Sequence, residues 1–208
     1  LIPGHERDAK LMELWNECGR KGRRRSLRNG WRLRTLKAEA PITAVEFTQD
    51  SNGLLIGDAN GNISFWNVHS ADKIRDLAGH DSVINSIVMK GNEPKVLTCS
   101  GIGRGGDTTA RLWNLETGRQ ISKIDCMQGI RAAAISPNGK LALLGSGEVL
   151  REAPVRLWNL ETMDVVQDFE SHEDPVTCVQ FHPSGRWAIS GSEDLTIILW
   201  DLQTGENI

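Results

Sequence analysis

Short apolar runs alternate with turn-forming residues along most of the chain beyond residue 37. In the clearest example, residues 176–181 alternate apolar and polar side chains, and a His-Pro-Ser-Gly turn follows them. Two further runs at 186–190 and 196–200 are separated by a Gly-Ser-Glu-Asp turn. No segment here has the 3.6-residue period of a long helix. Short strands separated by turn residues predict an antiparallel, all-β fold.

The tryptophans repeat at nearly constant spacing. Trp66, Trp113, Trp158 and Trp200 each follow Phe or Leu and precede Asn or Asp, and they lie 47, 45 and 42 residues apart. An apolar run, a turn rich in Gly and Ser, and a second apolar run precede each one. Trp15, 51 residues before Trp66, is a fifth candidate. Repetition with a period of about 40–45 residues is typical of β-propeller arrays.

These motifs resemble those of the WD-repeat (WD40) family, whose four-stranded antiparallel blades build a β-propeller. The resemblance covers about residues 31–208. It rests on Gly79-His80 paired with Trp113-Asn114, and on Ser171-His172 paired with Trp200-Asp201. It implies a structural tetrad of His, Ser or Thr, Asp and Trp within a blade. The matching positions are His80, Thr98, Asp107 and Trp113 in one blade and His172, Ser190, Asp194 and Trp200 in another.

Two blades depart from the tetrad pattern. The first has Ala38, Ile56 and Asn60 at the His, hydroxyl and Asp positions, and the third has Cys126 and Leu144 at the first two. A complete tetrad satisfies every buried polar group that it contains. We therefore expect the departing blades to depend on apolar packing and the blades to differ in stability.

The strand pattern predicts about four blades. Three are complete at about 42–77, 83–124 and 130–168, and a fourth stops before its outer strand. We assign residues 38–208 to this propeller segment. We assign residues 1–37 to the end of a preceding blade with a basic loop insertion, or to an N-terminal helix plus an outer strand at 31–36. Residues 5–18 fit either an inner strand or an amphipathic helix.

The resemblance implies that these blades are part of a seven-bladed ring. The remainder of the propeller would come from the same longer chain or from another chain. The alternative is a four-bladed ring in which the strand at 31–36 pairs with the strand at 196–201. That ring needs about 90° of rotation between blades instead of about 51°, which similar side-chain layers do not favour.

Charge is divided unevenly along the chain. The net charge is −3, but residues 1–40 hold 11 Lys/Arg against 5 Asp/Glu and residues 41–208 hold 13 against 22. Any nucleic-acid contact therefore belongs to the N-terminal segment. Its basic loop could bind RNA or an acidic partner. No aromatic residue that could stack on a base lies within the loop, so we favour a solvated loop without a binding role. The basic residues are Arg20, Lys21, Arg23, Arg24, Arg25 and Arg28.

Two loops are longer than the repeat requires. Residues 101–106 match GxGxxG, but a strand follows instead of the helix that a dinucleotide site needs. A second insertion lies at 148–154. The resemblance places both loops on the propeller face that commonly grips partners, although neutral length variation remains an alternative. The candidate partner-binding residues are Ile102, Arg104, Leu150 and Arg151 in the loops and Asp81, Ser82, Met127, Gln128, Glu173 and Asp174 in the neighbouring turns.

No catalytic motif was found, and four scattered cysteines indicate neither a disulfide framework nor a zinc site. No apolar run is long enough to span a membrane, and no signal peptide is visible. We therefore expect a non-catalytic interaction scaffold that has no cofactor and belongs to a multi-subunit protein complex. We expect the protein to be intracellular and cytoplasmic, with the nucleus as the alternative location. Two other hypotheses are a regulatory propeller segment of a larger enzyme, such as a kinase, and an RNA-associated component that uses residues 20–28.

Overall fold

A computed structural model describes residues 36–91, 93–101, 106–147, 154–169 and 172–205. All but Leu36 belong to one of the two units into which the chain divides, Lys37–Ile208. The described residues form fifteen β-strands in four antiparallel sheets and contain no helix, which confirms the all-β prediction. The strand or helix expected at 5–18 and nearly all of the strand expected at 31–36 lie outside them.

The strands of each sheet follow one another in chain order, so neighbouring strands are joined as hairpins. Sheet 1 contains Ile42–Phe47 (β1), Gly53–Asp58 (β2), Ile63–Asn67 (β3) and Lys73–Leu77 (β4). Sheet 2 contains Ile84–Met89 (β5), Lys95–Ser100 (β6), Thr109–Asn114 (β7) and Gln120–Asp125 (β8). Sheet 3 contains Ile130–Ile135 (β9), Leu141–Ser146 (β10), Val155–Asn159 (β11) and Val165–Phe169 (β12). Sheet 4 contains Val176–Phe181 (β13), Trp187–Ser192 (β14) and Ile197–Asp201 (β15).

The second strand of each sheet is the most deeply buried. In β6, the five residues from Val96 to Ser100 are all buried, and β10 buries all of its residues after Leu141. A strand that is covered on both faces needs a continuous apolar run instead of alternation, which is what these sequences provide. The outer strands are mostly exposed, and each buries one large side chain near its end, Leu77, Ile124 or Phe169.

Apolar clusters fill the space between successive sheets. Leu55 and Ile63 of sheet 1 pack in one cluster with Ile84 and Trp113 of sheet 2. A second cluster joins sheets 2 and 3, and a third joins sheets 3 and 4. The inner strands β1, β5, β9 and β13 are neighbours in that order. The four sheets therefore stand side by side, each packed on the one before it.

Glycines in β2 and β10 let the next inner strand come close. A Cβ atom at Gly57 would lie 2.6 Å from Ile84 Cγ2, and one at Gly145 would lie 2.5 Å from Val176 Cγ1. No side chain fits at such distances, so these glycines are explained by close packing of one sheet on the next.

The sheets have two distinct ends. We call the end that carries the β1–β2 and β3–β4 turns, and their equivalents in the other sheets, the hairpin face. The opposite end carries the β2–β3 turn and its equivalents together with the connections from one sheet to the next, and we call it the connection face. On this face Ser100 Oγ donates to the Ser82 carbonyl at 2.9 Å, and Ser192 Oγ donates to the Asp174 carbonyl at 2.7 Å. These hydrogen bonds fix the connections against the neighbouring turns.

Polar side chains at the second position of the inner strands link adjacent sheets. Thr43 Oγ1 donates to the Ile84 carbonyl at 2.6 Å. Asn85 Nδ2 contacts the carbonyls of Ile130 at 2.8 Å and Gly101 at 2.6 Å. A short hydrogen bond between sheets adds a directional constraint to the apolar packing, which by itself is non-directional.

The outward surface of sheet 4 has the character of an interface between sheets. Its Ile189, Ile197 and Leu199 side chains are 44%, 78% and 37% exposed. In sheet 2, Ala110 lies at the position that corresponds to Ile197 and Leu112 at the position that corresponds to Leu199. These two residues are only 1% and 4% exposed. Among the described residues, three sheets have four strands and sheet 4 has three. The number of blades in the complete ring and the division of the chain at residue 37 stay predictions.

We expect Asn85→Ala to lower the free energy of unfolding by about 1–3 kcal/mol, because two partly buried carbonyls lose their donor. Urea unfolding followed by tryptophan fluorescence measures the change. Asn60→Ala, which removes an exposed side chain, is the control and should stay within about 0.5 kcal/mol of the wild type. Equal losses in both variants would contradict the linking role of Asn85.

Candidate functional site

Four side chains of sheet 2 form a continuous chain of hydrogen bonds. His80 Nδ1 lies 2.5 Å from Asp107 Oδ2, and His80 Nε2 lies 2.8 Å from Thr98 Oγ1. Trp113 Nε1 donates to the same hydroxyl at 2.8 Å. A neutral imidazole fits this geometry, since its Nδ1–H donates to the carboxylate while Nε2 accepts from the hydroxyl. The chain of bonds ties the connection before β5 to β6 and β7.

Sheet 4 has the same arrangement. His172 Nδ1 lies 2.8 Å from Asp194 Oδ2, and His172 Nε2 lies 2.8 Å from Ser190 Oγ. Trp200 Nε1 donates to Ser190 Oγ at 2.9 Å. The structure thus brings together all eight residues that the family resemblance assigned to tetrads, in two groups of four.

Local electrostatics favour a neutral histidine and a charged aspartate in sheet 2. Burial lowers the pKa of His80, because an imidazolium would lose its hydration. Burial opposes ionisation of Asp107 as well, but hydrogen bonds from Thr109 and His80 outweigh it and lower the pKa of that carboxyl. Arg111 Nη2, 3.2 Å from Asp107 Oδ2, adds a favourable charge.

In sheet 4, hydrogen bonds from Thr196 and His172 likewise outweigh the burial of Asp194 and hold the pKa of this carboxyl far below its usual range. The backbone N–H groups of Thr196 and Glu173 also donate to it. The carboxylate therefore joins the turn after β14 to the connection before β13.

Sheets 1 and 3 lack the tetrad, and their tryptophans behave differently. Ile56 occupies the hydroxyl position of sheet 1, and Trp66 Nε1 donates instead to Ser64 Oγ at 2.7 Å. In sheet 3, where Leu144 replaces the hydroxyl, Trp158 Nε1 is buried and has no partner among the described residues. Sheet 3 therefore carries an unsatisfied donor, which adds to the expectation of unequal blade stability.

Chemically, the tetrad groups bond mainly to one another. The Cys99 and Cys126 thiols are unreactive in character, since burial raises the pKa of Cys126 to about 11 and the pKa of Cys99 well above its usual value. Within the described ranges, no three His, Cys, Asp or Glu side chains are grouped so that they could hold a metal ion. The same ranges contain no helix that is long and apolar enough to cross a membrane.

The connection face carries the turn residues that were predicted to contact partners. Met127 is 91% exposed, and Asp81 and Glu173 are exposed as well. The other three predicted turn residues are partly buried: Ser82, Gln128 and Asp174. The other candidates lie outside the described residues: Ile102, Arg104, Leu150 and Arg151 in the long loops and Arg20, Lys21, Arg23, Arg24, Arg25 and Arg28 in the basic loop.

Two features of the connection face were not predicted from the sequence. Leu195 is 95% exposed and has a φ angle of 69°, at the turn position where sheet 1 has Gly61. A bulky residue with positive φ is uncommon and is enriched at functional sites. The second feature is an ion pair between Arg131 Nη1 and Glu193 Oε1 at 2.6 Å, which links sheets 3 and 4. A leucine at the position where sheet 1 has Gly61 was the one signal available in the sequence.

Four antiparallel sheets standing side by side, two of them with an Asp–His–hydroxyl–Trp tetrad, define a β-propeller repeat protein. The sequence model described as "WD domain, G-beta repeat" matches residues 30–67, 71–114 and 163–201, more than half of the chain. The chain belongs to the WD40 repeat family, which confirms the resemblance.

Curated relatives align with this chain at low identity. Serine-threonine kinase receptor-associated protein of Gallus gallus is 23% identical over 86% of this chain and 60% of its own length. U3 small nucleolar RNA-associated protein 21 of Saccharomyces cerevisiae is 25% identical over 99% of this chain and 20% of its own length. Eukaryotic translation initiation factor 3 subunit I of Lodderomyces elongisporus is 24% identical over 84% of this chain and 52% of its own length. The chain thus spans about three fifths of the first of these relatives.

We expect Asp194→Ala to destabilise the protein by about 1–3 kcal/mol, because it leaves His172 and the turn after β14 without their acceptor. Urea unfolding measures the loss. Asp164→Ala, at an exposed turn position of sheet 3, is the matched control and should be nearly neutral. Coincident urea midpoints for wild type and Asp194→Ala would refute a stabilising role for this tetrad.

Protonation of His80 should make stability depend on pH. Because its pKa is lower in the folded state than in the unfolded state, the unfolded chain binds more protons once the pH falls below about 6.5. The free energy of unfolding should therefore decrease on acidification from about pH 7.5 to 5.5.

The free energy of unfolding should depend less steeply on pH in His80→Asn than in the wild type, whatever the absolute stability of that variant. His69→Asn, which alters an exposed histidine, should retain the wild-type slope. Identical slopes in all three proteins would show that His80 does not titrate differently on unfolding.

Proposed function

We propose that this chain is a non-catalytic interaction scaffold that binds other proteins of a multi-subunit complex through its connection face. The observation that carries the proposal is the pair of large apolar side chains, Met127 and Leu195, that stand almost fully exposed there. Neither contributes to the core clusters. Exposed apolar side chains amid polar residues are typical of protein interfaces.

The backbone beneath these side chains is well suited to binding. Thr108 Oγ1 donates to the Cys126 carbonyl next to Met127, and the Thr196 N–H donates to the Asp194 carboxylate next to Leu195. A surface that is ordered before binding loses less conformational entropy on association. Asp81 and Glu173 would form a polar rim around the apolar contacts.

A non-catalytic role agrees with the chemistry of the tetrads. Their histidines and aspartates bond within the fold, and burial keeps the Cys99 thiol protonated. The names of the relatives describe associated proteins and a complex subunit, which agrees with a scaffold role.

We also propose that a further blade, from the same polypeptide or another chain, covers the outward face of sheet 4. Ile197 and Leu199 motivate this proposal, since the equivalent residues of sheets 2 and 3 are buried: Ala110, Leu112, Val155 and Leu157. We place the protein inside the cell, in the cytoplasm or the nucleus, because its described cysteines are free, as is usual for thiols in a reducing compartment.

A second candidate function is association with RNA through the basic loop. The yeast relative whose name refers to a small nucleolar RNA aligns with 99% of this chain. A run of arginines would bind phosphates with strong salt dependence. Replacing Arg23, Arg24 and Arg25 by Ser should abolish low-salt RNA binding if this candidate is correct, and absence of RNA binding by the wild type would eliminate it.

The scaffold proposal predicts that the double variant Met127→Ser/Glu173→Lys loses its partners. Partner recovery in quantitative affinity purification of the full-length protein should fall by about tenfold or more, because the apolar anchor and one rim charge are removed. The melting temperature should not change, since both side chains are exposed.

The control is Val166→Ser/Glu161→Lys, which makes the same kinds of change at exposed positions of β12 and the turn before it. The control should recover partners normally. If the connection-face variant also recovers them normally with an unchanged melting temperature, the binding surface lies elsewhere.

A further inference from the structure

An open groove of about 530 Å³ lies on the hairpin face between sheets 1 and 2. Its sheet 1 wall includes Phe65, Ile74 and Arg75, and its sheet 2 wall includes Met89 and Pro94. This volume is within the range of about 300–1,000 Å³ that is common for ligand sites. The groove is separate from the connection face, which lies at the other end of the strands.

Gly53, at the start of β2, leaves room for the Phe65 ring that lines the groove. A Cβ atom at this position would lie 2.5 Å from Phe65 Cε2, so the phenyl ring occupies the space that a side chain would need. Gly53 pairs with the last residue of β3. The residues that pair in the same way in sheets 2, 3 and 4 all have larger side chains: Lys95, Leu141 and Trp187. The opening is therefore a feature of sheet 1 and not a general consequence of the fold.

Arg75 gives the groove a polar group that lacks a partner. Its Nε atom is buried and has no hydrogen-bond partner among the described residues. The side chain is pressed against Gly118, where a Cβ atom would lie 3.1 Å from Arg75 Cδ. Residues of sheets 2 and 3 at the same register are Ser122 and Gln167, which carry no charge. A guanidinium that lacks a partner within the described residues favours a carboxylate acceptor.

The acidic residues that line the groove are mostly satisfied within the chain. Asp50 accepts hydrogen bonds from Thr48 Oγ1 at 2.5 Å and from Asn52. Glu93 pairs with Lys95 Nζ at 2.6 Å. Glu116 is the remaining lining carboxylate, and it is exposed. Arg75, which is partly buried, is thus the charge most in need of a partner.

The groove also borders an edge strand. β4 is the outermost strand of sheet 1 and contributes both Ile74 and Arg75. An extended peptide can pair its backbone with such an edge while its alternate side chains enter a pocket. This combination favours a peptide over a compact small molecule.

We propose that the groove between sheets 1 and 2 binds a short extended segment of a partner protein in which a large apolar side chain stands near a carboxylate. The apolar side chain contacts Phe65, Ile74 and Met89, and the carboxylate pairs with the Arg75 guanidinium. Because the groove and the connection face are at opposite ends of the strands, the protein can hold two partners at once.

A random heptapeptide array, screened with the full chain and with Ile74→Asp, tests the proposal. Ile74 is 44% exposed, so the substitution should leave the fold intact and remove an apolar wall of the groove. Ile121→Asp is the matched control, because Ile121 occupies the same register in β8 and is 48% exposed. We expect peptides that bind the wild type and the control but not Ile74→Asp, and that share an apolar residue near Asp or Glu.

Arg75→Gln should weaken the selected peptides by about tenfold or more, and so should replacement of the acidic peptide residue by its amide. The two changes together should cost little more than either one, since they remove the same contact. The Met127→Ser/Glu173→Lys variant, which alters only the connection face, should bind these peptides normally. Failure of the scaffold proposal is therefore distinguishable from failure of the groove proposal. An array without peptides that depend on Ile74, or peptides insensitive to Arg75→Gln, would overturn the inference.

Discussion

Sheets 2 and 3 depend on being covered on both faces by the sheets beside them. Strands such as β6 and β10 are buried along nearly their whole length, which a single four-stranded sheet in water could not achieve. Stability therefore comes from the clusters between sheets, and each sheet is stable only because of its neighbours. The close approach of Ile84 to Gly57 and of Val176 to Gly145 shows how tightly successive inner strands fit. Rigidity of the loops at either end follows from this packing.

The tetrads add directional bonds to that packing, and they are distributed unevenly. Sheets 2 and 4 have complete tetrads, whereas Trp158 of sheet 3 has a buried donor with no described partner. Sheet 3 lies between the two sheets with tetrads and shares an apolar cluster with each, so packing on both sides offsets its missing bonds. The Arg131–Glu193 ion pair is partly exposed and contributes little, as is usual for surface ion pairs. Apolar burial is therefore the dominant stabilising term even where polar networks are present.

Much of the fold could be predicted from the sequence because its signals are local. The spacing from Trp66 to Trp200 and the Gly-rich turns predict the strands, and the two His-to-Trp blocks identify both tetrads. The groove could not be predicted, because it depends on Gly53 and Arg75 in one sheet and Gly118 in the next. Nothing in the local sequence of any one of them indicates that the others lie nearby.

The places where this chain departs from its own repeat are the places where binding is proposed. The four sheets share their strands and packing positions, so a residue that breaks the repeat without serving the core needs another explanation. Gly53 replaces a larger side chain, Arg75 replaces an uncharged one, and Leu195 stands with a positive φ angle where sheet 1 has a glycine. The first two open a groove and place an unpartnered donor in it, and the third exposes an apolar side chain on a rigid turn. Uniform sheets keep these irregular residues at fixed positions, and a scaffold needs that regularity to present different surfaces at its two ends.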